Sequence, residues 1–119
     1  MILADTSIWI DHFRVTNLAV VRAIRERTLV IHPYVIGELA LGSLKSRDQT
    51  IARLSRFHHL PKVPHDDILK MIETLSLYGR GLGYVDVHLL ASCIATANCK
   101  LLTRDRRLRE TAEQLGIAV

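Results

Sequence analysis

The chain has 119 residues, of which 49% are hydrophobic and 24% are charged. This length and balance predict a single globular domain with its own core, and they exclude a disordered chain. The 16 lysines and arginines outnumber the 12 aspartates and glutamates, and the formal charge of +4 is compatible with a polyanionic partner without establishing one.

Short apolar runs alternate along the chain with segments that carry apolar residues at helical spacing. In chain order, the sequence predicts a strand at 2–4, helices at 8–13 and 18–27, and a strand at 29–31. Helices at 33–41 and 48–58 follow, then a short or edge strand at 60–63 and helices at 66–78 and 85–97. The last predicted elements are a strand at 100–102, a helix after 105 that ends near 115, and a strand at 117–119. Because strands and helices alternate throughout, we expect a three-layer α/β/α sandwich whose central sheet has about four to five mostly parallel strands.

No segment predicts export or membrane insertion. The longest run without a charged residue covers 87–99, which is shorter than the roughly 20 residues that a transmembrane helix needs. The amino terminus has no basic residue ahead of its first apolar stretch, as a signal peptide would have. Cys93 and Cys99 are too few for a disulfide framework and are expected to be buried thiols. We therefore expect a cytoplasmic protein with no membrane contact.

Two aspartates come just after predicted strands. Asp5 follows the first strand within Asp5-Thr6-Ser7, and Asp105 follows the strand at 100–102 within Thr103-Arg104-Asp105. In parallel sheets of this class, ligands bind beyond the carboxyl ends of the strands. Both aspartates also suit the N-cap of the next helix, so that either one alone indicates capping as readily as function.

Two further acids lie in apolar surroundings. Within three positions, Glu38 has only apolar residues and glycine as neighbours, and Asp86 begins the apolar helix predicted at 85–97. A carboxylate on an apolar helical face is costly unless it is paired, hydrogen bonded or bound to a metal. A lone acid at the edge of a packed region remains an alternative for each. The four acids taken together predict a functional cluster.

Clustered carboxylates without matching cysteine or histidine ligands are typical of hard-cation sites. Mg²⁺ and Mn²⁺ prefer oxygen ligands and often share phosphate oxygens with the protein. The six histidines show no paired zinc-ligand spacing. Mutual repulsion should raise the pKa of carboxyl groups in such a cluster until a cation binds. We therefore expect Mg²⁺, for which Mn²⁺ can substitute.

The arginines suggest where a phosphate backbone could lie. Apart from the four clustered acids, the chain has 16 basic and 8 acidic residues. This excess of positive charge suits a nucleic-acid partner. Twelve of the basic residues are arginines, whose planar guanidinium groups suit phosphate. The best candidates for phosphate contacts are Arg104, Arg106, Arg107 and Arg109, although these residues could equally form a solvated helix face.

Four sequence blocks, taken in order, resemble a known family. The blocks cover 2–10, 35–39, 86–92 and 102–105. They resemble those of PIN-domain proteins and, more narrowly, of the VapC toxins of type II toxin–antitoxin systems. Because the blocks span nearly the whole chain, the resemblance implies a single PIN domain over residues 1–119.

The resemblance implies a metal-dependent endoribonuclease. Its acidic quartet would be Asp5, Glu38, Asp86 and Asp105. Asp5 and Asp86 would be metal ligands, whereas Glu38 and Asp105 would complete the shell directly or through water. Ser7 and Thr103 would be polar supports near the metal. Water would attack an RNA phosphodiester in line and leave 5′-phosphate and 3′-hydroxyl ends.

The resemblance also implies partners. These are an RNA substrate, a second copy of the chain in a homodimer, and a VapB-type antitoxin whose C-terminal segment enters the acidic groove. An arginine of such a segment could replace the cation, because arginine pairs bidentately with carboxylates. The alternative is a non-catalytic PIN-like module that binds RNA or protein. The presence of all four acids weighs against it, because a module that does not cut has no use for a repulsive cluster.

Overall fold

Four strands and seven helices alternate in the computed structural model, which describes residues 1–119. The strands are β1 (Ile2–Ala4), β2 (Leu29–Ile31), β3 (His58–His59) and β4 (Lys100–Leu102). The helices are α1 (Thr6–Arg14), α2 (Leu18–Arg25), α3 (Pro33–Ala40), α4 (Arg47–Ser55), α5 (His65–Thr74), α6 (Tyr84–Ile94) and α7 (Arg106–Gln114). The predicted α/β class is confirmed.

The strands form one parallel sheet in the order β3-β2-β1-β4. Ile2 of β1 lies opposite Leu29 of β2 on one side and Lys100 of β4 on the other. Since every parallel pair requires a crossover, each connection between strands contains at least one helix, and the helices flank the sheet. Leu3 and Ala4 of the central strand are fully buried, as this position requires.

The third strand is shorter and earlier than predicted. The prediction placed a helix over 48–58 and a strand over 60–63, whereas α4 ends at Ser55 and β3 is His58–His59. The amide of Leu60 still donates to the Ile31 carbonyl at 2.9 Å. The ladder stops there because Pro61 has no amide hydrogen to donate.

Other predicted boundaries also need correction. The strand predicted at 117–119 is reduced to a single parallel bridge between Leu101 and Ala118. The helix predicted at 66–78 ends at Thr74, and the left-handed backbone of Ser76, with φ of 52°, turns the chain away. The helix predicted at 85–97 ends at Ile94.

The main hydrophobic core contains 20 buried residues drawn from both the sheet and the helices. Helix α6 runs through it, and every residue from Val87 to Cys93 is buried. Cys93 and Cys99 are free and buried, as expected. None of the seven helices has the length and apolar content that a membrane-crossing segment requires.

Truncation of a core side chain on α6 should destabilise the fold strongly. Leu90 is fully buried, so we expect Leu90→Ala to lower the free energy of unfolding by about 3 kcal/mol, through lost burial and the cavity left behind. Urea denaturation followed by circular dichroism measures this change. Leu41→Ala is the matched control, because that leucine is 91% exposed, and equal effects of the two substitutions would contradict the assignment of α6 to the core.

Candidate active site

The strand order creates a crevice beside β1. From β1 the chain passes to β2 and on to β3, and it then returns through α5 and α6 to place β4 on the opposite side of β1. Ligands of open parallel sheets bind outside the carboxyl ends of the strands at such a reversal. Asp5 directly follows β1 and Thr103 directly follows β4, so both residues lie at this crevice.

Asp5 is a buried carboxylate with only 5% of its surface exposed. Its Oδ1 accepts hydrogen bonds from the Ser7 hydroxyl at 2.6 Å and from the Ile8 amide at 3.1 Å, and its Oδ2 accepts one from the Thr103 hydroxyl. The bond from Ile8 makes Asp5 the N-cap of α1. The capping function and a fixed place at the crevice therefore occur together in one side chain.

Ser7 and Thr103 connect the two turns that border the crevice. The Thr103 hydroxyl accepts a hydrogen bond from the amide of Asp105 at 3.0 Å, and the Ser7 hydroxyl accepts one from the amide of Arg104 at 3.3 Å. Each hydroxyl thus donates to Asp5 and accepts from the turn that follows β4. This network fixes the turn after β1 against the turn after β4.

Asp105 and Asp86 each lie at the start of a helix. Asp105 is the N-cap of α7, where its Oδ1 accepts a hydrogen bond from the amide of Leu108 at 3.0 Å. Asp86 lies in the first turn of α6, and its Oδ2 accepts one from the amide of Gly83 at 2.8 Å. Both helix starts favour negative charge nearby, which helps to place carboxylates at this edge of the sheet.

The pKa of Asp86 responds to the other three acids. Burial raises this pKa above its ordinary value, and the hydrogen bond from Gly83 partly offsets the rise. The negative charges of the other three acids raise it further; they are Asp105, Asp5 and Glu38. The fold therefore places the other three acids within electrostatic reach of Asp86, although the four come from separate parts of the sequence.

Glu38 is more exposed than its apolar neighbours in the sequence suggest. It lies on α3, whose buried residues are Val35 and Leu39, but its own side chain is open to solvent. Its Oε1 accepts a hydrogen bond from the Thr6 hydroxyl at 2.6 Å. The premise that Glu38 occupies an apolar face is therefore wrong, yet the residue lies beside the turn that carries Asp5.

No cation of the protein neutralises the four acids. The three ion pairs of the structure join Arg22 to Glu26, Arg104 to Asp11, and Arg106 to Glu110. Glu38, Asp86 and Asp105 each accept a hydrogen bond through one carboxylate oxygen only.

The donor atoms suit a hard divalent cation. They are carboxylate and hydroxyl oxygens, which Mg²⁺ and Mn²⁺ prefer. No three side chains among the histidines, cysteines, aspartates and glutamates are placed so that they could hold one metal ion together. The cluster therefore matches such a cation in chemistry and charge, while its side chains would have to move closer to bind one.

The four predicted phosphate-binding arginines differ in their surroundings. Arg104 pairs with Asp11 at 2.9 Å, and Arg106 pairs with Glu110 at 3.0 Å. Arg109 donates to the carbonyl of Thr103 at 2.9 Å. The side chain of Arg107 makes no hydrogen bond or ion pair, so Arg107 is the member of the set whose guanidinium has no polar partner.

Several residues of the site region were not predicted from the sequence. Thr6 bonds to Glu38, and its only signal was its place between two predicted site residues. His32 and His88 are fully buried, with ring centres 6.3 Å apart, next to Tyr34 and Tyr84. The Nε2 of His32 and both ring nitrogens of His88 have no hydrogen-bond partner. His32 is the N-cap of α3, and the other three rings belong to α3 and α6, the helices that carry two of the acids.

His32 should make the stability of the fold depend on pH. Burial, together with the nearby positive charges of His88 and Lys62, lowers its pKa to about 4. The unfolded chain, with a histidine pKa of about 6.5, therefore takes up the proton first as the pH falls. We expect the free energy of unfolding to drop by about 3 kcal/mol between pH 6.5 and pH 4, with full stability above that window.

Urea denaturation at several pH values measures this effect, and His32→Asn is the informative variant. Asparagine can still accept the hydrogen bond that the Tyr34 amide donates to His32 Nδ1 at 3.0 Å, but it does not ionise. The variant should lose less stability between pH 6.5 and pH 4 than the wild type does. An unchanged pH dependence would show that His32 is not the group responsible.

Comparisons with known proteins agree with this architecture. A family model described as PIN domain matches residues 2–114. Two relatives, both named Ribonuclease VapC32 and from the CDC 1551 / Oshkosh and H37Rv strains of Mycobacterium tuberculosis, are each 41% identical over 119 residues, which is 100% of this chain and 96% of the relative.

A solved structure also matches. The crystal structure of PAE2754 from Pyrobaculum aerophilum is similar with a TM-score of 0.67 and 20% sequence identity, over 99% of this chain and 87% of that one. At this identity the match supports the fold alone. The family match and the full-length relatives decide the assignment: the chain belongs to the PIN-domain family and is a VapC-type member of it.

Proposed function

We propose that this protein is the toxin of a type II toxin–antitoxin system and acts as a Mg²⁺-dependent endoribonuclease. The observation that carries the proposal is the cluster of four carboxylates at the crevice, which no cation of the protein neutralises. The two full-length relatives named as ribonucleases support the same activity.

Asp5 and Asp86 would hold the metal ion, and Glu38 and Asp105 would complete its shell directly or through water. When bound there, Mg²⁺ would offset negative charge on the phosphodiester during hydrolysis. Ser7 and Thr103 fix the Asp5 carboxylate through their hydroxyl groups, so this ligand would need little reorganisation. Asp86 is half-buried, with one oxygen free to accept a ligand.

The reaction would be hydrolysis of an RNA phosphodiester by water. Attack in line on phosphorus would break the bond to the 3′ oxygen and leave a 5′-phosphate and a 3′-hydroxyl. The carboxylates would hold the cation that meets the scissile phosphate, and the chain's 16 lysines and arginines would supply positive charge for the flanking backbone.

The expected protein partner is a VapB-type antitoxin. Its C-terminal segment would enter the acidic groove, where an arginine could pair with the carboxylates in place of the metal. A homodimer is the expected assembly of the toxin. A co-purified partner with no basic residue in the groove would contradict this mode of inhibition.

Expression in a bacterial host tests the toxin function. Induction of the wild-type chain should arrest growth, and the RNA of arrested cells should carry new 5′-phosphate ends. Asp86→Asn should abolish both effects, whereas Asp66→Asn, an exposed acid in the first turn of α5, should leave them intact. Growth arrest that persists in Asp86→Asn without new RNA ends would favour a non-catalytic binding module.

A further inference from the structure

A polar pocket lies between α7 and the loop before α6, and Arg107 is its one residue among the arginines predicted to contact phosphate. The pocket encloses about 380 Å³. Its lining residues are Arg80, Arg107, Glu110, Thr111 and Gln114, and none of them is hydrophobic. We propose that this pocket binds a phosphate of the RNA that flanks the cleaved bond, an inference that rests on the proposed ribonuclease function.

The pocket adjoins the acidic cluster along two segments of the chain. Arg107 lies in the first turn of α7, two residues after Asp105. Arg80 lies in the loop that leads to Gly83, whose amide binds the carboxylate of Asp86. From Arg107 to Gln114 the lining follows one face of α7 over about 10 Å, at 1.5 Å per residue. A backbone that enters the crevice can therefore continue into the pocket.

The two arginines are suited to an anion for different reasons. Arg80 is held in place, since its Nε donates to the Ser76 carbonyl at 3.1 Å and its Nη1 to the Gln114 side chain at 2.6 Å. The guanidinium of Arg107 has no hydrogen-bond or ion-pair partner. A fixed guanidinium and a free one can share the oxygens of one phosphate, because each presents its donors in a planar fork.

Gly81 allows Arg107 to lie across the loop. A Cβ placed on Gly81 would come within 2.3 Å of the Arg107 Nη1, and the backbone of Gly81 has φ of +76°, which side chains other than glycine's rarely tolerate. The backbone at Gly81 therefore packs directly against the Arg107 guanidinium, with no side chain between them.

The charge of the pocket favours a phosphate over other ligands. Its one acid, Glu110, is already paired with Arg106 at 3.0 Å, so the charge of Arg107 is not cancelled. The absence of apolar lining argues against a peptide, because protein interfaces usually place apolar side chains at their centre. A stretch of single-stranded RNA backbone is the ligand that this chemistry fits.

Fluorescence anisotropy with a labelled single-stranded RNA tests the site. All variants are made in the Asp86→Asn chain, so that RNA is bound and not cut, and the dissociation constant is measured at several salt concentrations. Arg107→Ala should weaken binding about five- to tenfold and reduce the salt slope by about 0.7, the value for one lost phosphate contact on a single strand. Arg80→Ala should weaken binding to a similar extent.

Arg22→Ala is the matched control, because Arg22 is an exposed helical arginine that lies outside the pocket and pairs with Glu26 at 3.0 Å. It should change the dissociation constant less than twofold. Arg107→Lys should keep the salt slope and recover part of the affinity, since the charge remains.

Equal binding by Arg107→Ala and Arg22→Ala would overturn the inference. So would weaker binding by Arg107→Ala with an unchanged salt slope, because that result indicates a structural effect. The proposed function is tested separately by cleavage: a wild-type protein that cuts RNA, with Arg107→Ala binding normally in the uncut background, would leave the ribonuclease intact and remove only this subsite.

Discussion

Asp86→Asn should lower the rate of RNA cleavage by about three orders of magnitude and at the same time raise the free energy of unfolding. The loss of rate follows from removal of one of the two expected metal ligands. The gain in stability follows from the raised pKa of Asp86, because burial and three neighbouring negative charges oppose its ionised form. Asparagine carries no charge and can still accept the hydrogen bond from Gly83.

Two measurements check this pair of effects. Initial rates of cleavage on a defined RNA give the first, and urea denaturation near pH 7 gives the second. Asp66→Asn removes an exposed acid outside the cluster and should change neither quantity appreciably. If Asp86→Asn were inactive and also strongly destabilised, Asp86 would be needed for folding. That result would contradict the expectation that the ionised Asp86 carboxylate lowers the stability of the fold.

Asp5→Ala should abolish cleavage and, unlike the change at Asp86, weaken the fold by about 3 kcal/mol. The buried Asp5 carboxylate accepts three hydrogen bonds, from Ser7, Ile8 and Thr103. Alanine leaves these donors without their acceptor and removes the N-cap of α1. The same substitution also removes the hydrogen bond from Thr103 to Asp5, which connects the turn after β4 with the turn after β1.

Asp5→Asn separates the two roles of this residue. Asparagine can still accept from the Ile8 amide, and its own amide can donate to the Thr103 hydroxyl, so it should stay close to wild-type stability while remaining inactive. The urea midpoints of both variants test the structural role of Asp5, and their cleavage rates test its role in the reaction. An active Asp5→Asn chain, or an Asp5→Ala chain as stable as the wild type, would refute the assignment.

The sequence predicts the place of a residue in the fold well where that place depends on the residue's immediate neighbours in the chain. Asp5 and Asp105 could be placed because each follows a parallel strand and precedes a helix, and the structure shows both as N-caps at the same edge of the sheet. For such residues a capping role is compatible with a place at the crevice, since the cap holds the carboxylate at that edge of the sheet. Asp86 was found from its apolar surroundings, and its partial burial agrees with that reasoning.

The sequence predicts burial and pairing poorly where they depend on contacts between residues that are far apart along the chain. The apolar neighbours of Glu38 suggested burial, but α3 turns that side chain to solvent. The helix predicted at 48–58 includes His58, whereas His58 and His59 form β3 and pair with Val30 and Ile31 of β2. The pairing of Arg80 with Gln114 joins residues 34 positions apart, and no local pattern predicts it.

The most direct measurement is the rate of cleavage of single-stranded RNA by the purified wild-type chain, first with EDTA and then across a titration of Mg²⁺. The account predicts no cleavage in EDTA, a rate that rises with Mg²⁺ and saturates, and products with 5′-phosphate ends. Cleavage that proceeds equally well in EDTA, or RNA that stays intact at saturating Mg²⁺ and Mn²⁺, would contradict it.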